Sequence, residues 1–492
     1  MKNSYVGYGA FSTTDKGKSE ASWVAIGPTI DSVQDSLSRF QDPAYKHALE
    51  DSQKAAVDVE SAVGKGVWSF YSQLKSFYEI ASIAEVIPMA FVSSFFKREL
   101  VEHAETSFAK VAEFGGASIF GLSDTDMAYV NRQTDRWNSI SDGFAKLPAA
   151  LLLSLVAGFD SAFADFVRVL LKSKPERYSG SDRQYSISDI LKLDSLEQLI
   201  SKAADDEVDQ LMNKSHTEQI TFFEKSFDIS IREHYSRWGQ FVEIFERRNL
   251  AAHGNLIINE RYITNCSKAG LVVEQCPGEE LRVNEEYLEK SIDILIEFGI
   301  LLALAAWQKQ YPKSIAETFG AVVEVSYSLL KDGHPSVAAR ILDYGLKVKS
   351  KGADEEKTKM MIINLAIAHK LNGDEKSALD LLDKTDWSAS PPQFKLCLAS
   401  IKEDVEAACA LLDAARVSDE LSPTAIREWP AFRWVRQNDK FKKSCEEVFG
   451  EPIFPTSVVS NESSSTEKDA EDKAVPAARR RRPPLGRLEE RP

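Results

Sequence analysis

Alternating apolar and polar residues, the mark of a half-buried strand, are almost missing from this chain, whereas apolar residues recur at every third or fourth position along most of it. Such a chain buries its apolar surface by packing helices on one another, so an all-α fold is expected. Val57, Val63, Val67, Phe70, Leu74 and Phe77 mark one stripe in a helical stretch from Ala44 to about Ala84, which Pro88 should end or kink. A second long helix is predicted over Phe91–Phe114, with Gly115-Gly116 as its stop. Further helices are predicted over Pro148–Lys172, Ile187–Leu193, Ser195–Asn213, Thr217–Phe227, Ile231–His253 and Asn284–Gln310. Between His253 and Asn284 a loop is expected, with a weak hairpin of Gly270–Glu274 and Glu280–Val283 as the one strand-like feature.

Composition narrows the class. With 492 residues, 43% of them hydrophobic, the chain can build several cores and is not disordered throughout. Its net charge of -15 repels phosphates and excludes a bulk cationic coat for nucleic acid, though not a small basic cleft. Five widely spaced cysteines (Cys266, Cys276, Cys397, Cys409 and Cys445), with no CxxC pair, argue against a disulfide framework and a zinc knuckle and fit a reducing compartment. The first residues carry no apolar core of signal-peptide type, and the runs Leu147–Phe159 and Ile294–Trp307 fall short of the roughly 20 residues that cross a bilayer. A soluble cytoplasmic protein with no membrane partner, no metal and no cofactor is the expectation.

The texture divides the chain into an irregular segment (1–43), an N-terminal helical region (44–146), a central helical bundle (147–311), a region of short helices (312–454) and a charged, disordered tail (455–492). In the fourth of these, Ala338-Ala-Arg-Ile-Leu-Asp343 recurs as Ala378-Leu-Asp-Leu-Leu-Asp383 and Ala408-Cys-Ala-Leu-Leu-Asp413, with Gly333 and Gly373 at matching offsets before the first two. A small residue where helices cross, followed by paired aliphatics, suits stacked helical hairpins. The pattern resembles degenerate tetratricopeptide repeats, although its spacing departs from theirs, and such repeats imply a protein partner; an ordinary amphipathic bundle accounts for it equally well. The tail run Arg479–Arg482 reads as a solvated charge cluster.

Trp238–His253 is the most informative segment. At about 100° per residue, Phe241, Ile244, Phe245 and Ala252 form an apolar stripe into which Arg248 projects, while Arg247 falls on the polar side with Glu243. Asn249 and His253 share the edge of the stripe, with Glu246 just beyond. A guanidinium among core positions is costly unless it is paired or faces a cleft. Asp160, whose helical neighbours include Val156, Phe163 and Ala164, is the candidate carboxylate to hold it.

Arg248-Asn249-Leu-Ala-Ala-His253 resembles the arginine–histidine signature of HEPN domains, in a similar setting: a helical bundle with the motif near the end of a late helix. The resemblance covers about Leu147–Tyr311; Ala251-Ala252 departs from the bulkier aliphatics usual there. It implies metal-independent RNA cleavage by domains that dimerise and pool their motifs, in toxin or phage-defence settings. The chemistry is sound: a histidine, ordinarily titrating near 6.5, can serve as base toward a ribose 2′-OH or as acid toward the leaving 5′-oxygen. An arginine can stabilise the charge growing on phosphorus, and Asn249 can orient the phosphate or the imidazole. Arg248 and His253 lie about 140° apart on an ideal helix, so one motif does not close a site; two could across a homodimer, or the helix could unwind at Gly254.

A purely structural account explains the same residues through an Arg248–Asp160 ion pair and His253 beside a helix end. The two functional readings are therefore an endoribonuclease with RNA as substrate and a catalytically silent interaction scaffold. His216 and Glu218 are secondary candidates, more ordinary as residues that begin a helix, and Glu246 is a possible tuner of His253. No phosphate-binding glycine loop, G-x-S-x-G elbow or H-E-x-x-H pair is present.

Overall fold

The computed structural model describes residues 8–11, 24–27, 59–84, 98–114, 117–175, 184–186, 190, 192–347, 354–417 and 421–450. These residues are overwhelmingly helical, and the fold is all-α. Its helices up to residue 310 include α1 (Val59–Leu74), α2 (Ser76–Ala84), α3 (Asp124–Ala145), α4 (Leu147–Lys172), α5 (Leu196–Met212), α6 (His216–Phe227), α7 (Trp238–His253), α8 (Glu260–Lys268) and α9 (Glu285–Gln310); of these, all but α3, which has no buried residue, contribute to the packed core.

α9 is the axis. Its apolar residues run all round the helix, from Leu288 through Trp307, and nearly all are buried, as expected of a helix enclosed on every side. α1, α4 and α7 pack on it around an aromatic centre of Phe70, Phe159, Phe166, Phe241 and Phe298. α1 approaches α9 closely because Gly299 offers no side chain: a Cβ there would run into the ring of Phe70. Phe70 is fully buried against Phe159 and Phe166 and cannot swing clear. Gly299→Ala is therefore expected to destabilise by about 1–3 kcal/mol of overpacking, outweighing the better helix propensity of alanine, as a lower denaturant midpoint will show.

Several expectations from sequence need correction. Among the described residues of the helix expected over 91–114, only 98–107 are helical. Ala109–Phe114 is a strand (β3) paired antiparallel with Ala117–Gly121 (β4), because Gly-Gly between two short β-prone runs favours a hairpin over a helix stop. Tyr8–Phe11 (β1) and Val24–Gly27 (β2) form a second antiparallel pair inside the segment read as irregular. The hairpin expected at 270–283 is absent; a lone bridge joins Ile257 and Glu280. α7 starts at Trp238 rather than Ile231, because the carboxylate of Glu224 accepts the Ile231 and Arg232 backbone N–H groups and holds that stretch in turns. α3 falls in the region 44–146 expected to be helical, although no individual helix is predicted over its residues; Ser123 and Asp126 cap it reciprocally. The expectations for 44–58, Pro88, 91–97, most of Ile187–Leu193 and the tail from 455 lie outside the described residues.

By length and composition alone, 124–172 and Glu285–Gln310 would suffice to cross a bilayer, since the helices continue past the charges that bound the shorter apolar runs. In Glu285–Gln310, 83% of the most apolar window is buried inside the fold, as in a core helix.

After α9 come three helical hairpins: α10 (Ile315–Lys331) with α11 (Pro335–Lys347), α12 (Glu355–Leu371) with α13 (Glu375–Asp383), and α14 (Pro392–Ile401) with α15 (Val405–Val417). Ala338, Ala378 and Ala408 occupy the same place in the second helix of each and are fully buried. Gly333 and Gly373 turn the first two hairpins with positive φ, and Glu403 takes the corresponding position in the third at φ 60. A glutamate pays strain there, but its carboxylate accepts from the buried Lys370 Nζ at 2.7 Å, which offsets the cost. Glu297, 2% exposed in the middle of α9, joins bundle and hairpins by accepting from Arg237 at 2.9 Å and Arg340 at 2.6 Å.

Candidate functional site

The orientation of α7 is set by its carboxylate at 243. Glu243 was expected on a polar face with Arg247; instead both lie inward, because α8 and the start of α9 cover that side of the helix. Glu243 accepts from Tyr262 Oη at 2.6 Å, Tyr287 Oη at 2.9 Å and Arg247 Nε at 2.6 Å. The Arg247 guanidinium stacks over the Tyr287 ring at 3.8 Å. Burial first, and then the Glu243 charge, hold both phenols protonated well above their usual range. Burial likewise pushes the neighbouring Cys266 thiol up to about 12, leaving no thiolate nucleophile there at neutral pH. With one side of α7 locked, its opposite edge carries Arg248 and Asn249 toward α4 and α6.

There Asp160 and Arg248 meet, as the helical register had suggested, with Arg248 Nη2 at 3.7 Å from Asp160 Oδ2. That is an ion pair beyond hydrogen-bond length, and Arg248 Nε, although buried, has no partner. The guanidinium thus keeps donors to offer. Asp160 spends its other oxygen on His216, whose Nε2 lies 2.8 Å away. His216 does not cap α6: Ser215 does, in a reciprocal box with Glu218, which leaves His216 at the first helical position facing α4. Its ring stacks on Phe245 with centroids 3.6 Å apart, fixing the plane of the imidazole. Glu218, the other secondary candidate, is a capping residue, and its bonds to Ser215 hold its carboxyl below the usual range.

Asp160, His216, Arg248 and Asn249 line one cavity of about 290 Å³, together with Lys214, Arg261 and Glu246. His253 lies elsewhere. It is exposed at the end of α7, where the chain leaves the helix at Gly254 and passes through Asn255 and Leu256 with positive φ. It lines an adjoining cavity of about 280 Å³. Glu246, Asn249 and Arg261 line both cavities, so the two adjoin along these side chains, and the pair makes up the trough. Ala252, expected in the apolar stripe, is exposed, since the stripe runs out as α7 leaves the bundle. The helix does not unwind before His253.

No family model, curated protein or solved structure matches the chain significantly. The chemistry of the trough therefore rests on these side chains. Among the described residues, no group of three or more His, Cys, Asp and Glu could hold a metal ion. Arg248 and Arg261, the N-terminus of α6 and the carboxylates of Asp160 and Glu246 line the trough, while the Lys214 ammonium at its edge lies over the Phe222 ring; two guanidinium groups beside a helix N-terminus suit a phosphate diester despite the acidic net charge of the chain. Lys214 and Arg261 were missed in the sequence: they lie in other segments, and nothing in spacing links them to Arg248.

Proposed function

We propose that the central bundle is a metal-independent endoribonuclease of HEPN type, with Arg248, Asn249 and His253 as its catalytic set. The observation that carries this reading is the trough, in which an under-bonded guanidinium, an amide and an accessible imidazole from one helix stand beside a second guanidinium, that of Arg261. Arg248 would hold the scissile phosphate and offset the charge that develops on it, Asn249 would orient it, and His253 would transfer a proton. Asp160 positions Arg248 without saturating it. The proposal includes RNA as substrate, a homodimer through the bundle, a cytoplasmic setting, and a role as a toxin or phage-defence effector. The hairpins after α9, read as tetratricopeptide-like, would take a protein partner that governs the activity.

The competing reading, a silent interaction scaffold, is favoured by the same hairpins and by the structural use of Asp160 in pairing Arg248. Incubation of the purified full-length chain with RNA in EDTA separates the two. Cleavage by the wild type that is lost in Arg248→Ala is expected; an inert wild type supports the scaffold.

A further inference from the structure

His216 has more than a packing role. Its Nε2 faces a carboxylate oxygen of Asp160, and a carboxylate only accepts, so in the neutral imidazole the proton sits on Nε2 and Nδ1 carries the lone pair. The described hydrogen bonds of the ring end with Asp160, leaving Nδ1 without a protein partner, in a side chain that is 14% exposed and lines the cavity of Arg248. Phe245 fixes the ring plane from one side. A carboxylate-held imidazole with its second nitrogen free, beside a guanidinium with unused donors, is how a proton acceptor next to a phosphate is built.

We propose that His216, positioned by Asp160, is the general base of this trough and His253 its general acid, so that each chain carries both imidazoles. The inference rests on the endoribonuclease reading and deepens it. His216 and His253 stand in the two adjoining cavities, and Asn249 and Arg261, which line both, join Arg248 in holding the phosphate between the two imidazoles. His216 Nδ1 takes the proton of the ribose 2′-OH as the 2′-oxygen bonds to phosphorus. The bond from phosphorus to the 5′-oxygen breaks, and the protonated His253 gives its proton to that oxygen. The products are a 2′,3′-cyclic phosphate and a 5′-hydroxyl, and solvent restores both imidazoles. Asp160 stabilises the imidazolium that forms on His216, which is why the base is assigned there and the acid to the exposed His253. The charged groups around the pair are Asp160, Glu246, Lys214, Arg248 and Arg261. A dimer is then not needed to pool acid with base.

The test uses the full-length chain and an RNA oligonucleotide in EDTA, with His216→Asn, His253→Asn and an equimolar mixture of the two, co-refolded so that subunits exchange. Each variant alone is expected to lose about 10²–10⁴-fold in rate, with the circular dichroism spectrum of His216→Asn remaining that of a folded helical chain. The mixture should stay inactive, because each chain needs both of its own imidazoles. The pH profile separates the roles: residual cleavage by His216→Asn should lose the acidic limb, where a base must shed its proton, and His253→Asn the alkaline limb. Asp160→Asn should slow cleavage and Asp160→Glu restore part of it. Recovery of activity on mixing would place the two imidazoles in different protomers and overturn the pairing within one chain. A fully active His216→Asn beside an inactive His253→Asn would overturn the assignment of His216 while the endoribonuclease reading stands. A wild type that cuts no RNA overturns both.

Discussion

Replacing His253 with alanine is expected to slow RNA cleavage by about 10²–10⁴-fold and to leave stability within about 0.5 kcal/mol of wild type. The two halves of this expectation have separate origins. On the proposed mechanism the rate falls because the side chain assigned to proton transfer is removed from the cavity it lines. The stability holds because the side chain is exposed, follows the last packed turn of α7 and has no hydrogen bond among the described contacts. Arg248→Ala differs in the second half. It removes the guanidinium beside Asp160, leaving His216 as the carboxylate's one partner, and empties a half-buried position, so its midpoint should fall along with its rate. Initial rates and chemical denaturation of the two variants side by side make the distinction. Equal loss of stability in both would mean that His253 serves packing.

The largest structural effect is expected one turn earlier. Glu243→Leu leaves the inward guanidinium of Arg247 without its carboxylate and two buried phenols without their acceptor. Breaking a buried ion pair from one side costs about 3–5 kcal/mol, because the remaining charge is stranded. Glu243→Gln keeps an acceptor for the phenols and should cost less. Removing both partners, as in Glu243→Leu with Arg247→Met, should recover part of the loss, which a double-mutant cycle in denaturant measures. Activity should follow stability in this series, since Glu243 lines neither cavity and reaches the trough only through Tyr262, which lines the cavity of His253. A Glu243→Leu chain as stable as wild type would refute the view that this cluster holds the motif helix in place.

These two residues also show what periodicity can and cannot disclose. The helical register correctly joined Asp160 to Arg248, because both sit at positions whose neighbours three and four away are apolar, and such a pairing needs only two helix faces to meet. The same reasoning put Glu243 and Arg247 on a solvated side. It could not know that α8 and the start of α9 would fold over that side and supply Tyr262 and Tyr287 as partners. His216 read as a helix-beginning residue, and so it is; its bond to Asp160 depends on how α6 leans on α4, which spacing does not encode. The all-α architecture was legible because long stripes repeat in nearly every segment. The hairpin around Gly115-Gly116 was not, because runs of five or six residues suit either a strand or a helical turn.

The central claim is that this trough cuts RNA by activating a ribose 2′-OH. It is tested most directly by giving the full-length protein one RNA oligonucleotide in EDTA, alongside the same sequence with every 2′-OH methylated, and identifying the ends by mass spectrometry. The account predicts fragments ending in 2′,3′-cyclic phosphate from the first and no fragments from the second. Cutting of the methylated strand, or no cutting of either, would contradict it.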